Sequence, residues 1–243
     1  MKGAFAVKFS VIIPTLNEAG NIGNLLAALQ AQEYSGDWEI IVSDGDSDDD
    51  TPDIVDSFAG VLLLRGACGV SRQRNVGAQS ASGELLVFMD ADDFPAPDFL
   101  QRIAQSYRRF PFAVACPWFV AQDSGFLVRV LYLGFNILFF MGQGWLKTGS
   151  GVCLIVQKTV FETIGGFDES LHLGEDVQLI RRAARYGWHR HLCIALKTSG
   201  RRFSRKGAWK LMLFYARISP YVLLGQWAEL QKFEYQAAPY KEE

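Results

Sequence analysis

Residues 84–94 read ELLVFMDADDF. Leu85 to Met89 are all apolar, and Asp90, Asp92 and Asp93 follow within four positions. A short apolar run without polar alternation predicts a strand covered on both faces, as in a parallel α/β sheet. Three carboxylates crowded at its end resist ionising side by side. Either a cation meets them or they face water.

Outward from this stretch, strand and helix signals alternate. Upstream, FSVIIPT (Phe9 to Thr15) reads as a buried strand, and WEIIVSD (ending at Asp44) and VLLLR (Val61 to Arg65) as further strands. Between the first two, Ile22, Leu25, Leu26 and Leu29 fall at i, i+3, i+4 and i+7, one face of a helix. TPDIVDSF predicts a helix with Thr51 as N-cap and Pro52 in its first turn. SRQRNVGAQSASG predicts another, capped by Ser71 and stopped at Gly83. This alternation implies parallel pairing with right-handed crossovers. In such sheets, ligands bind at the carboxyl ends of the strands. Asp44 and Asp90 both sit there.

Downstream the pattern is more mixed. PDFLQRIAQSYRR, KTVFETIGG and EDVQLIRRAARYG read as helices, FAVACPWF, GVCLIV and HLCIAL as strands, and 207–226 as one or two helices. Val130 to Leu146 carries no charge over 17 residues, three of them Gly, and includes Asn136 and Gln143. A bilayer span takes about 20 mostly apolar residues, so this stretch reads as a core helix or as one lying at a membrane surface.

Composition bounds the function. The 243 residues suit one large α/β domain, and 49% apolar content supplies a full core. The net charge of −2 argues against a nucleic-acid or other polyanion binder. The charge is uneven, because 197–210 holds six basic residues and no acid, a surface run or a clamp for diphosphate or anionic lipid. The cysteines at 68, 116, 153 and 193 lack zinc-finger or CxxC spacing, and the histidines at 172, 189 and 191 show no metal-ligand spacing. Reduced thiols and the lack of an export signal before Pro14 imply a cytoplasmic protein. No P-loop, GxGxxG or GxSxG motif is present.

Three acidic groups could carry chemistry. A strand-end DxD suits Mg2+ or Mn2+, which commonly takes one or two carboxylates and leaves positions for a diphosphate. SDGDSDDDTPD lacks the Glu of a calcium loop. Turn and helix-cap roles explain most of its acids, but Asp44 at the crevice edge can accept hydrogen bonds from a base or ribose. Glu175 and Asp176 in GEDVQL are either helix-dipole partners or the source of a general base.

FSVIIPTLNEAGNI, IIVSDGDSDDDT, SRQRNVGAQSASGELLVFMDADD and IGGFDESLHLGEDVQLIRRAARYG occur in this order from residue 9 to about 187. Together they resemble the inverting family 2 glycosyltransferases of GT-A fold. The resemblance implies a mostly parallel central sheet flanked by helices in one domain spanning 1–243. Its nucleotide-binding half would be roughly 1–95, its acceptor half 96–205, and its C-terminal helices 206–243. It further implies that Pro14, Thr15 and Glu18 border the nucleotide. Asp44 contacts the base with Arg74 beside it, and Asp90 faces ribose and metal. Asp92 binds Mn2+ or Mg2+, Asp176 is the general base with an ordinary carboxylate pKa, and Glu175 helps hold the acceptor. The donor would be a nucleoside-diphosphate sugar. The acceptor would be a hydroxyl, lipid-linked or on a polysaccharide precursor, with peripheral contact at the inner face of the cell membrane. Asp46 departs from the Gly or Ser of many relatives, and no QxxRW follows the ED pair, which argues against a processive synthase. Alternative readings are a sugar-phosphate nucleotidylyltransferase, whose Gly-rich basic loop after the first strand is missing, and a nucleotide-sugar binding protein without turnover.

Overall fold

The computed structural model describes residues 7–66, 68–122, 125–149, 151–199 and 208–233. The basic run at 201–206 lies outside the described residues.

The first half alternates as expected: β1 (Phe9–Thr15), α1 (Ala19–Gln30), β2 (Trp38–Asp44), α2 (Thr51–Asp56), β3 (Val61–Arg65), α3 (Val70–Ser80) and β4 (Leu85–Met89). Then follow β5 (Asp93–Phe94), α4 (Phe99–Arg109), β6 (Val114–Gln122), α5 (Phe126–Gly142), β7 (Cys153–Gln157), α6 (Lys158–Thr163), α7 (Glu175–Ala183), β8 (His189–Ser199), α8 (Ala208–Leu224) and α9 (Trp227–Leu230).

All eight strands join one sheet in the order β3-β2-β1-β4-β7-β6-β8-β5. Strands β3, β2, β1 and β4 run parallel. β7 is antiparallel to both β4 and β6, β8 is parallel to β6, and β5 is antiparallel to β8. The sheet is mostly parallel as expected, with β7 and the short β5 reversed within it. Periodicity within the five-residue apolar run of β7 cannot reveal that reversal.

The apolar runs of β1, β4 and β7 are strands buried on both faces, whereas the edge strand β3 stays half exposed. Phe9, Val11 and Ile13 share one core with the α1 face of Ile22, Leu25, Leu26 and Leu29. Ile12 and Ile41 belong to the opposite core, with Phe88, Leu154 and Ile180. α3 lies close over β1, because a Cβ on Gly77 would come 2.5 Å from Ile12 Cγ2. That approach brings the polar side chains of α3 to the sheet edge. Two cap assignments shift: α3 starts at Val70 after Gly69, so Ser71 lies inside it, and α2 is preceded by Asp50 rather than capped by Thr51.

The uncharged stretch forms most of α5, which has two apolar faces. Val128 and Tyr132 pack with Phe119 and Ala121 of β6. The buried Asn136 clamps the same strand, donating to the Phe119 carbonyl at 2.8 Å and accepting from its N–H at 3.2 Å. Phe126, Val130, Leu133, Ile137 and Met141 stay exposed. Their spacing of i, i+4, i+7, i+11 and i+15 makes one stripe along the helix. One face of this helix packs on β6, and the other is an exposed apolar stripe. Among the described residues no helix is long and apolar enough to cross a membrane.

Candidate active site

The parallel strands present their carboxyl ends at one edge. Thr15 and Asp44 are register partners there. Phe88 pairs with Ile12, so Asp90 leaves its strand level with Pro14. β7 runs the other way and pairs Cys153 with Met89. The residues entering β7, Gly151 among them, therefore reach the same edge.

Asp44 is fully buried and tightly held. Its Oδ1 accepts from Thr15 Oγ1 at 2.9 Å and from Ser47 Oγ at 2.5 Å, and its Oδ2 accepts from Ser47 N–H at 2.9 Å. Arg65 Nε stands 3.9 Å away. Gln73, on α3, donates its amide to the carbonyls of Thr15 at 2.5 Å and Ser43 at 2.9 Å. Asp46 adopts φ +64°, a left-handed conformation in which Gly fits without cost and Asp is tolerated. Glu18 precedes α1; its N–H donates to Thr51 Oγ1 at 2.8 Å and its carboxylate accepts from Asn21 at 2.6 Å. Asp49 accepts from the N–H groups of Thr51 and Ala19, so that acid ties the loop to α1 and α2.

The DADD turn sorts its three carboxylates into different environments. Asp93 points inward, is fully buried, and accepts from the Asp90 N–H at 3.0 Å. Burial first, then the charges of Asp90 and Asp92, pushes its pKa well above the carboxylate range, which favours its neutral form. Asp90 meets Arg74, whose Nη2 lies 3.0 Å from Oδ1. Asp92 keeps a partly exposed position, and its carbonyl accepts from Ser199 N–H at 3.2 Å. Burial answers Asp93 and a guanidinium answers Asp90, while Asp92 keeps a partly exposed edge.

Arg74 joins the DADD turn to the start of α7. The same guanidinium places Nη1 3.4 Å from Glu175 Oε1, and its carbon sits 5.3 Å from the centre of the Phe167 ring. Its side chain is only 5% exposed, so both pairs are screened little by water. The ion pairs of Arg74 run to Asp90 and Glu175, and Asp44 takes Arg65.

Asp176 stands next to this bridge. A Cβ on Gly151 would lie 2.5 Å from Asp176 Oδ2, so the backbone entering β7 presses directly on the carboxylate. Oδ1 accepts from Val177 N–H at 2.7 Å. Although Asp176 keeps a partly exposed edge, desolvation by the packed protein, and then the charge of Glu175, pushes its pKa up to about 7. The expectation of an ordinary carboxylate is corrected. A group poised there is well matched to proton transfer at neutral pH.

Some participants carried no usable signal. Phe167 lies within IGGFDES, but nothing in that string indicates a ring under Arg74. Gly151 is visible only once the antiparallel β7 is known. The histidines and cysteines lack metal-ligand spacing in the sequence, but three of them meet in space. Cys116, His189 and His191 place one potential ligand atom each within 4.8 Å of one another, all buried. Cys116 is distant from the histidines in the chain, and only the β6–β8 pairing unites them.

The family model of "Glycosyl transferase family 2" matches residues 10–165. Among curated relatives, Glycosyltransferase AglE of Haloferax volcanii is 29% identical over 188 residues, covering 74% of this chain and 62% of AglE. The poly(ribitol-phosphate) beta-N-acetylglucosaminyltransferase TarS of Staphylococcus aureus is 36% identical over 95 residues, covering 36% of this chain and 17% of TarS. The chain thus spans less than two thirds of these relatives. Two solved structures share its GT-A fold. S. aureus TarS 1–349 has a TM-score of 0.67 at 22% identity, covering 79% of this chain and 60% of that one. The mannosyltransferase PcManGT from Pyrobaculum calidifontis, in complex with GDP-Man and Mn2+, has a TM-score of 0.68 at 22% identity, covering 85% and 60%. The family match runs from the first strand, through the DADD turn, to the glycine turn after α6, well over half of the chain, and on that ground the chain belongs to glycosyl transferase family 2.

Proposed function

We propose that the chain transfers a sugar from a nucleoside-diphosphate sugar to a hydroxyl acceptor, with inversion and with help from Mn2+ or Mg2+. The observation that carries this reading is the Asp90–Arg74–Glu175 bridge with Asp176 beside it. It joins the nucleotide-side acids to the acid suited for proton removal. The TarS structure with UDP-GlcNAc and PcManGT with GDP-Man and Mn2+ support a donor of this class.

The donor set fits a hard cation. Asp93 is buried in an environment that favours its neutral form and Asp90 is engaged by Arg74, which leaves the partly exposed carboxylate of Asp92 as the oxygen ligand best able to reach one. When bound, the ion supplies positive charge to a departing diphosphate. The rest of the work falls to the chain itself. Pro14, Thr15 and Glu18 border the nucleotide, and Asp44 holds the loop that meets its base. Arg74 keeps Asp90 and Glu175 in place. Asp176 takes the proton of the acceptor hydroxyl as that oxygen attacks the anomeric carbon opposite the leaving group, and the single displacement inverts the centre. Glu175 orients the acceptor.

The exposed stripe of α5 supports a lipid-linked acceptor met at a membrane surface, with the stripe entering the interface. Thermal-shift measurements over a panel of nucleotide sugars, with and without Mn2+, test the donor half. A metal-dependent stabilisation by one donor class is expected, lost in Asp92→Ala and kept in Asp176→Asn, which should bind donor but not transfer sugar. Undiminished transfer by Asp176→Asn removes the base assignment.

A further inference from the structure

The Cys116, His189 and His191 cluster has no part in the sugar-transfer reading, and its construction is that of a ligand site. β6 and β8 run parallel with Val114 opposite His189 and Cys116 opposite His191. Side chains two residues apart on a strand share a face, so the thiol and both rings emerge on the same side of the sheet. All three are buried, His189 to 5% exposure and His191 to 4%. The rings lie 4.9 Å apart, and Phe139 of α5 stacks on His191 at 5.5 Å.

The hydrogen bonds fix the tautomers. A backbone carbonyl can only accept, so the ring nitrogen facing it carries the proton. His189 Nδ1 faces the Gln143 carbonyl at 3.3 Å, and His191 Nε2 faces the Thr148 carbonyl at 2.9 Å. Each ring therefore keeps its other nitrogen as a lone pair. His189 Nε2 is buried and has no hydrogen-bond partner among the described residues. Such an orphan is costly in a folded interior and calls for an explanation. Metal-ligating histidines characteristically hold their second N–H on a carbonyl or carboxylate, which fixes ring and tautomer. Gln143 reinforces the frame, its Oε1 accepting from the His191 N–H at 2.9 Å. The α5–β7 connection closes over the group: a Cβ on Gly149 would lie 2.7 Å from Cys116 Sγ and 3.3 Å from His191 Cε1.

We infer that Cys116, His189 and His191 bind a borderline-soft divalent transition metal of the Zn2+ type, at a site separate from the cation at Asp92. One thiolate with two imidazoles suits such ions and disfavours Mg2+ or Ca2+. Bonds of about 2.0–2.3 Å in a tetrahedron set ligand atoms about 3.4–3.6 Å apart, so the present spread of up to 4.8 Å must contract by about 1 Å on binding. On binding, the Cys116 thiol gives its proton to solvent, the thiolate and both imidazoles donate lone pairs, and a fourth ligand completes the shell. The ion would pin β6, β8 and the connection that leads to Gly151, and through Gly151 the wall against which Asp176 rests.

The test is Co2+ titration of the reduced, metal-stripped full chain, followed by absorption. One equivalent should produce a thiolate-to-cobalt charge-transfer band, and Zn2+ should displace it. The band should persist in the exposed pair Cys68→Ser/Cys193→Ser and in Asp92→Ala, and vanish in Cys116→Ser and His189→Gln. Absence of the band in the native chain, or its survival in Cys116→Ser, overturns the site. Should the buried substitutions fail to fold, X-ray absorption of the Zn2+-loaded native chain decides: one sulfur and two imidazole ligands are expected, and a first shell without sulfur overturns it. None of these readouts depends on sugar transfer, so they stand or fall apart from the proposed activity.

Discussion

The pH profile of donor turnover offers the sharpest test of Asp176. Its pKa is pushed up to about 7, first by desolvation and then by Glu175. A base works only when ionised, so activity should rise with pH through that value. With one controlling group at about 7, the ionised fraction is about 9% at pH 6 and about 91% at pH 8, a rise of about tenfold. An ordinary carboxylate would be ionised throughout that window and give a flat line. Initial rates of nucleoside-diphosphate release at fixed Mn2+, with water or a hydroxyl acceptor, measure the profile between pH 5.5 and 9. Glu175→Gln removes the neighbouring negative charge and should move the midpoint to lower pH. A flat profile from pH 6 to 8 in the native chain would falsify the assignment. Stability supplies an independent sign check. The folded state binds the Asp176 proton more tightly than the unfolded chain does. Its contribution is therefore fully present below the unfolded carboxylate pKa and lost as pH rises through about 7. Asp176→Asn should then melt higher than the native chain at pH 8. The gain is bounded by about 4 kcal/mol for three pH units, reduced by the water that reaches the exposed edge. At pH 4 the two should melt alike.

Other substitutions probe the surroundings. Gly151→Ala would thrust a methyl to 2.5 Å from Asp176 Oδ2; turnover should fall by about 100-fold, as small displacements of reacting groups do, and donor thermal shifts should survive. Asp93→Asn should leave stability within about 1 kcal/mol, because the native side chain already favours its neutral form, whereas Asp92→Asn should abolish the Mn2+-dependent donor shift; urea titration and thermal shift check the pair. Asn136→Leu strips two hydrogen bonds from Phe119 and should cost about 1–3 kcal/mol in urea unfolding, since the strand's N–H and C=O are left buried. Val130→Ser with Met141→Ser should leave the melting temperature nearly unchanged, both side chains being exposed, and should reduce flotation with anionic liposomes at low salt. Native protein that stays at the bottom of the gradient removes the membrane reading.

The first half of the fold was legible because its strands are closed apolar runs and α1 shows a clean buried face, although α3 buries polar side chains. β1, β2 and β3 match their expected bounds, and the α1 stripe of Ile22, Leu25, Leu26 and Leu29 is fully buried. The second half was less legible because pairing direction is a tertiary property. CLIVQ reads the same whether β7 runs up or down the sheet, and β5 is only two residues long. Asn136 and Gln143 looked like polar interruptions in an apolar stretch. The structure shows them as attachments, one to β6 and one to β8. A polar residue in an apolar helix marks the face that has backbone groups to satisfy, a signal available before any coordinates.

The acids show where such reading ends. The three carboxylates of DADD are equivalent in sequence, yet one favours its neutral form, one is ion-paired and one is partly exposed. Their separation comes from partners far along the chain. Thr198 lies opposite Asp93 across the β5–β8 pairing, and Arg74 reaches Asp90 from α3. Arg74 also binds Glu175, 101 residues away, so one guanidinium restrains two acidic segments that would otherwise repel. Holding like charges close needs a fixed countercharge of low mobility, and a planar fork that is 5% exposed and seated on Phe167 provides one. Lysine in its place would keep the charge and lose the fork. Arg74→Lys should therefore retain the fold and still lose most turnover, because a single ammonium cannot keep both acids in their present geometry.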